Sequence, residues 1–550
     1  MISHRAQFGE LFRLFRQRFV ESEALAPSFD RDYNTNLWQV LSVLAIPGFY
    51  AAIVLGGAIV HPEASQWTLR SVRIFVATYS FAVAGFAALF EWDMLFPERR
   101  DFLVLTLFPI RMRDLFASKI AALGVLLGVL TLSVNAGAVA VLTLALAVDP
   151  HARNLRFAGT AGLFVVSSGA AATFGFLLVA VVQGVLINVT PVRLFRRISP
   201  WVQLIGMSLM VLSFILFPLF INVVLVETFY PRFLWWFPPY WFMGMQELSS
   251  GSALLYSLGR FGWKMLGAAV LTFALSWALG FARHYRRTLE AEDSTTRSSH
   301  RRERTFAWLL RTPEERAVFH FSRAILARSP KHRLFVACYG SAGVALGLIL
   351  GLSLDERGLT FSANGLRAFP FLMTFFVVSG FRAVFQFPSE LASNWLFQIA
   401  ERGWSGAARK AARKFVDLGG LLPVLLVFLP LEIFNWGVAT ALAHFVLQAV
   451  SGALLTEIVF WTFDKVPFTC SYFPGKVNLA LLIVIYFEGF THYAFQMADL
   501  EVWAERNPLP GLGAVVAAIA VLALFWRRES QTRAVRFDGS EPVIQTLELT

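Results

Sequence analysis

Long runs of apolar residues with almost no charge recur along the whole chain, and short polar segments separate them. The hydrocarbon core of a bilayer is about 30 Å thick, so a helix needs about 20 apolar residues to cross it. Only helices and closed barrels satisfy their backbone polar groups in lipid. The chain has twelve runs of suitable length, at 38–60, 74–90, 120–148, 157–186, 201–225, 265–282, 334–354, 368–386, 415–441, 445–463, 477–497 and 510–526. The pattern predicts an all-α polytopic membrane protein with about 12 transmembrane helices, six in each half.

Composition supports the same class. Hydrophobic residues make up 57% of the 550 residues and charged residues only 15%, whereas soluble domains carry about 25% charged residues. The formal charge of +12 is spread over many short loops, which is typical of topology signals, so nucleic acid is not an expected partner. The two cysteines provide no disulfide framework and no metal-ligand spacing. We therefore expect neither a metal nor a cofactor in this chain.

The distribution of Lys and Arg predicts the orientation. With the N-terminus inside, the inner segments hold 38 of the 48 basic residues and the outer segments hold 10. Basic residues concentrate in cytoplasmic loops, so this bias predicts that both termini are cytoplasmic. The expected location is the plasma (inner) membrane, with the lipid bilayer as an obligatory partner.

Two amphipathic segments are expected to lie at the membrane interface, one before each half. Phe8, Phe12 and Phe15 share one helical stripe in the first, and Val318 and Phe321 belong to a similar stripe in the second. A cytosolic helix that packs on the protein's own loops is the alternative for the first. The predicted organisation is 1–37 interfacial helix, 38–282 first six-span half, 283–333 cytoplasmic linker with the second interfacial helix, 334–526 second six-span half, and 527–550 cytoplasmic tail.

The two halves are predicted to be copies of one unit. Phe96-Pro97 opens one predicted cytoplasmic loop and Phe387-Pro388 opens another. Lys119 follows the first and Lys410 the second at the same separation of 23 residues, which gives a constant offset of 291. That offset also superimposes the first three runs of each half, so the sequence predicts a parallel duplication of six helices.

The chain lacks the motifs of an enzyme. A phosphate-binding loop requires glycines and a closing Gly-Lys-Ser/Thr, and Gly475-Lys476 is followed instead by Val477. The sequence contains no HExxH zinc motif and no recognised nucleophile motif. We therefore expect no catalytic activity, and any ATP that drives this protein must be hydrolysed by a partner.

The predicted cytoplasmic loop between the second and third runs carries a spaced pattern. Its residues are Asp101, Leu105, Pro109, Ile110, Ala117, Ser118 and Lys119. This pattern resembles type-2 ABC transporter permeases, the membrane subunits of many exporters, in which this loop forms a coupling helix that docks on an ATPase subunit. The resemblance extends to the interfacial helix, to six spans per half and to a long outer connection between the fifth and sixth spans.

The resemblance implies an exporter permease that moves a substrate outward, with a separate ABC ATPase subunit as its partner. The residues implied in coupling are Asp101, Leu105, Pro109, Arg111, Arg113 and Lys119. In the second copy, the corresponding loop residues are Trp395, Arg409 and Lys410. Ala392 stands where Asp101 maps and Ala400 where Pro109 maps, which leaves open whether the second loop also contacts the ATPase.

Ionisable residues within the apolar runs are concentrated in the second half, namely Glu432, Glu457, Glu488 and His492. Charges inside a bilayer are costly and mark transport paths, so these are candidate translocation-path residues. Mutual structural pairing, with Arg382 included, is the alternative. The carboxylates also suit a proton-coupled secondary transporter, which remains the alternative function.

An aromatic, proline-rich run at residues 229–242 precedes the sixth span of the first half. Aromatic residues at this depth anchor at the headgroup region, and prolines interrupt regular helix. We expect a re-entrant or interfacial element here.

Overall fold

The fold was analysed in a computed structural model of the chain. It describes residues 4–20, 44–50, 53, 66–96, 108, 110–148, 155–217, 226–227, 231–246, 253–290, 310–355, 358–389, 397, 405–461, 463, 465–469 and 479–528. Two compact units emerge, one of Met1–Ser294 with Leu354–Gly358 and the other of Thr295–Ser353 with Leu359–Thr550.

Nine helices with defined bounds are described in the first unit, besides the helical residues 44–50. They are α1 (His4–Val20), α2 (Gln66–Phe90), α3 (Trp92–Leu95), α4 (Met112–Val148), α5 (Leu155–Val189), α6 (Val192–Ile215), α7 (Pro231–Trp236), α8 (Pro238–Gln246) and α9 (Ala253–Glu290). The central pair is α2 and α5, against which α6, α8 and α9 pack, while α1 packs along α4.

The remaining described helices lie after residue 310. They are α10 (Pro313–Arg328), α11 (Pro330–Gly351), α12 (Ala363–Val384), α13 (Ser405–Val416), α14 (Leu422–Trp436), α15 (Val438–Val459), α16 (Leu479–Arg506) and α17 (Pro508–Arg528). A short two-stranded hairpin, β1 (Leu352–Asp355) and β2 (Gly358–Phe361), joins α11 to α12. A π-helical turn, Asp417–Leu421, joins α13 to α14.

The helix lengths confirm an all-α, multi-pass membrane protein. Ten helices in the described part of the chain are long and apolar enough to cross a bilayer. The predicted spans at 38–60 and 477–497 are not among them: most of the first lies outside the described residues, and α16 covers the second. The total of 12 spans and the two six-helix repeats therefore stay predictions.

Several helices extend beyond the apolar runs that predicted them. Residues 193–197, which lie between two of the predicted apolar runs, belong to α6, and only Thr190 and Pro191 separate α5 from α6. The start of the predicted linker is also helical, because α9 continues to Glu290. Basic residues thus continue both helices, since Arg is a good helix former and a helix does not have to end where its apolar run ends.

Local sequence signals fix several helix ends in the second unit. Thr312 caps α10 by accepting a hydrogen bond from the Glu315 amide at 3.2 Å, and Pro313 follows in the first helical position. Ser362 caps α12 in the same way, with the Gly365 amide at 3.0 Å. Gly437 has a φ of 82° and allows the chain to turn directly from α14 into α15.

Candidate functional site

The structure describes only part of the predicted coupling loop. Asp101, Leu105 and Pro109 lie outside the described residues. Arg111 and Arg113 are exposed around the start of α4. The structure therefore leaves these two arginines accessible on the segment that the sequence predicts to meet a partner.

Lys119 is buried rather than exposed, with 2% of its surface accessible. Its Nζ donates a hydrogen bond to the Phe96 carbonyl oxygen at 3.0 Å. The same Nζ lies 5.3 Å from the ring centroid of Phe15 on α1, within the range of a cation–π contact. Lys119 thus joins the start of the predicted loop, the helix that follows it and the N-terminal helix.

The loop of the predicted second copy has different contacts. Trp395 lies outside the described residues, whereas Arg409 and Lys410 are half-buried on α13. The Phe387 carbonyl oxygen lies 3.2 Å from Nε2 of His332, a residue at the start of α11. An ion pair of 2.7 Å between Lys414 and Glu315 joins α13 to α10, the helix that precedes the predicted second half.

Three of the four predicted intramembrane polar residues have quite different surroundings. Glu457 is buried, forms an ion pair with Arg413 and accepts a hydrogen bond from Nε1 of Trp526 at 2.8 Å. Both Glu488 and His492 belong to α16, but the Glu488 side chain lies outside the described part and His492 is exposed. Glu457 is therefore paired within the helix bundle, with Arg413 as its cation.

The fourth residue, Glu432, belongs to a charged cluster contributed by four helices. We define this charged cluster as Arg367 on α12, Glu432 on α14, His444 on α15, and Glu501 and Glu505 on α16. His444 Nδ1 lies 2.7 Å from Glu501 Oε2, and its Nε2 lies 3.4 Å from Glu432 Oε1. Arg367 Nη1 lies 2.9 Å from Glu505 Oε2 and 3.7 Å from Glu501 Oε1.

Helix ends bring these residues together. The turn at Gly437 folds α15 back on α14, so Glu432 and His444 meet across a helical hairpin. Glu501 and Glu505 are four residues apart and share one face of α16. Arg367 lies just after the capped start of α12. All four helices therefore contribute the end that the charge distribution predicts to face outward.

Aromatic rings enclose the charged cluster. The Trp436 ring lies 5.4 Å from His444 and 5.4 Å from the Arg367 guanidinium, and the Phe371 ring lies 4.9 Å from His444. His444 is 0% exposed, Glu501 3% and Glu432 4%. Within the described residues, Glu432 Oε1 and His444 Nε2 make no hydrogen bond despite this burial. Buried polar atoms are normally satisfied, so this pair requires an explanation.

The polar face continues along α15 beyond His444. Gln448 and Ser451 follow at i+4 and i+7 and are buried on the same face. Gln448 Nε2 donates to Thr374 Oγ1 at 3.1 Å, and the Tyr493 hydroxyl donates to Ser451 Oγ at 3.2 Å. A buried row of polar groups thus runs from the charged cluster along α15, between α12 and α16.

Sequence reasoning missed most of the charged cluster. It assigned Arg367 and Glu501 to outer loops and placed His444 in the gap between two apolar runs. The sequence nevertheless contained a signal. Acidic and basic residues both lie just beyond the ends of the apolar runs, on the side of the membrane that is predicted to be the outer one. Extending each helix by one or two turns would have brought these charges to the same level.

The aromatic run before α9 forms two short helices. Each begins at a proline, Pro231 for α7 and Pro238 for α8, and residues 239–246 are buried. The second of them, α8, packs against α2, α5 and α9 and so lies within the first unit's helix bundle.

Comparisons with known proteins identify no relative: no family model, no curated protein and no solved structure matches the chain. In the described part of the chain, no group of three or more His, Cys, Asp or Glu residues is placed to hold a metal ion.

Proposed function

We propose that this protein is the membrane permease of an ABC-type exporter, with twelve spans in two repeated halves and cytoplasmic termini in the plasma membrane. A separate ATPase subunit would hydrolyse the ATP, and the substrate would move outward. The resemblance of the loop pattern around Asp101 and Pro109 motivates this proposal.

The observation that carries the proposal is the way α1 and α4 hold the end of the predicted coupling loop. Lys119 is buried against Phe15 of α1 and bonded to the carbonyl of Phe96. A partner that displaces the loop would therefore act on α1 and α4 together. Since α4 packs on α5, that displacement can reach the central helices of the unit.

The exposed arginines of the loop supply a test. An affinity-tagged chain is purified from native membranes, and ATP hydrolysis in the purified fraction is measured. We expect the wild type to bring an ATPase subunit with it and the Arg111→Glu/Arg113→Glu variant to lose it, because charge reversal replaces attraction with repulsion. Arg232→Glu is the matched control, since Arg232 is also exposed but lies on the predicted outer side. Retention of the ATPase by the double variant would contradict the proposal.

A second candidate is a proton-coupled secondary transporter. The observation that favours it is the buried, incompletely bonded carboxylate of Glu432. In this case, transport into inverted vesicles would follow an imposed proton gradient, would need no ATP and would fail in Glu432→Gln. Transport that stops on ATP removal while the gradient persists would exclude it.

A further inference from the structure

His444 lies between two carboxylates that belong to different helices. Both of its ring nitrogens face a carboxylate oxygen, Glu501 Oε2 at 2.7 Å and Glu432 Oε1 at 3.4 Å. A neutral imidazole has a single N–H, so it can donate to only one of the two. Its other nitrogen would then direct a lone pair at a carboxylate oxygen. The geometry therefore favours an additional hydrogen between the ring and one carboxylate.

The charges around the ring also favour an added proton. The carboxylates that face His444 are Glu432 from α14 and Glu501 from α16, and Arg367 from α12 and Glu505 from α16 are linked to them through Glu501. With a neutral imidazole, three carboxylates face a single guanidinium. Burying uncompensated charge is expensive, most of all where the bilayer replaces water. One added proton halves the excess negative charge, and the remainder can reside on Glu505, whose side chain is 35% exposed.

We propose that the charged cluster binds one proton from solvent, shared by His444 and the carboxylates of Glu432 and Glu501. When the ring N–H is on Nδ1 and donates to Glu501, this proton supplies the donor between His444 Nε2 and Glu432 Oε1, neither of which has a hydrogen-bond partner among the described residues. It thereby fastens the adjoining ends of α14, α15 and α16.

A proton suits this place better than a larger cation. The 3.4 Å separation between His444 Nε2 and Glu432 Oε1 accommodates a hydrogen but not an inserted ion. Trp436 and Phe371 cover the ring, and His444 is 0% exposed. The proposal holds whether ATP or an ion gradient drives the protein, because it concerns the folded chain alone.

The direction of the pH effect follows from this assignment. Bound protons stabilise the state that holds them, so the folded state gains stability at low pH and loses it as the pH rises and the proton leaves. Glu432→Gln should remove the effect. In that variant, the introduced side-chain amide can donate to His444 Nε2, while the neutral ring donates from Nδ1 to Glu501, so every bond forms without an added proton.

The wild-type protein itself provides the first test. Purified chain with ¹⁵N-labelled histidine is studied by NMR, with the His444 signal assigned through His444→Gln, and infrared spectra report protonated carboxyl groups. At about pH 7, close to the ordinary titration range of histidine, we expect either a doubly protonated His444 ring or a protonated carboxyl band that disappears in Glu432→Gln or Glu501→Gln. A neutral ring together with fully ionised carboxylates would overturn the proposal.

Thermal unfolding provides the second test and uses a matched control. Melting temperatures are compared between about pH 6 and about pH 9, a range that spans the ordinary titration of histidine. We expect the wild type to lose stability across this range, Glu432→Gln to lose less and to exceed the wild type at the alkaline end, and Asp499→Asn to follow the wild type. Asp499 is exposed on the same helix as Glu501. Parallel curves for all three proteins would contradict the proposal, and the wild-type spectra decide the matter if Glu432→Gln fails to fold.

Discussion

The two units differ in the buried contacts described between their helices, although each unit buries charged side chains, such as Lys119 in the first. In the first unit, neutral side chains bond to backbone carbonyls of neighbouring helices: Gln183 Nε2 reaches the Trp92 carbonyl at 2.6 Å and Gln203 Nε2 reaches the Leu89 carbonyl at 2.9 Å. In the second unit, buried contacts between helices include ion pairs, such as Arg413 with Glu457 and Glu315 with Lys414.

The difference matters because a buried charge and a buried neutral amide have different energetic costs. A neutral amide that bonds to a carbonyl serves to hold helices together. A buried charge costs much more and persists where it is fully paired or where its charge is used. Glu457 is a fully paired buried charge, because Arg413 and Trp526 both bond to its carboxylate. Glu432 is a buried carboxylate that is not fully paired, so its charge is a candidate for use. Under either proposed function, the second unit is therefore where we expect protons or substrate to act.

The largest expected effect comes from breaking the pair of Arg413 and Glu457. Arg413→Leu leaves a buried carboxylate without its cation, and loss of one partner of a buried pair costs about 3–5 kcal/mol. Hydrogen exchange should increase in the peptides of α13, α15 and α17, since Glu457 also bonds Trp526 of α17. Lys410→Leu, a half-buried position on the same helix, is the control. Equal exchange in both variants would show that the pair is not a structural contact.

The second largest expected effect tests whether a lysine anchors the loop in both predicted copies. Lys119→Met removes a charge-assisted hydrogen bond worth about 1.5–3 kcal/mol and should increase hydrogen exchange in α1 and α4. Lys410→Met, at the equivalent position of the other copy, should have little effect on the helices around it, because His332 lies beside the Phe387 carbonyl there. An equally large effect at Lys410 would mean that the copies share the lysine anchor.

The helices of the fold were predictable from sequence because lipid forces about 20 apolar residues into each spanning helix. The amphipathic segments were equally visible: Phe8, Phe12 and Phe15 belong to α1, and Val318 and Phe321 belong to α10. Helix ends were less predictable, since α9 continues through charged residues to Glu290.

The charged cluster could be predicted only if those helix ends were known, which is why the sequence pointed to Glu432 alone. Arg367, His444 and Glu501 stand beyond the apolar runs, where a residue is ordinarily assigned to a loop. Helical extension and the turn at Gly437 bury them. Which carboxylate meets which base is a matter of helix packing, and hydropathy carries no information about it.

The smallest expected effect tests the close packing of the first unit at the crossing of α8 and α9. A Cβ atom added to Gly259 would lie 2.6 Å from the Gly244 carbonyl oxygen and 2.9 Å from the Met245 amide nitrogen, so backbone would have to move. Overpacking of this kind costs about 1–3 kcal/mol. Gly259→Ala should therefore lower the melting temperature. Gly267→Ala on the same helix meets nothing within 4 Å and gains the same helix propensity, so the difference between the two variants isolates the packing cost. Equal melting temperatures would show that α8 can shift away from α9 without loss, and the first unit would then not owe its stability to close helix contact at this crossing.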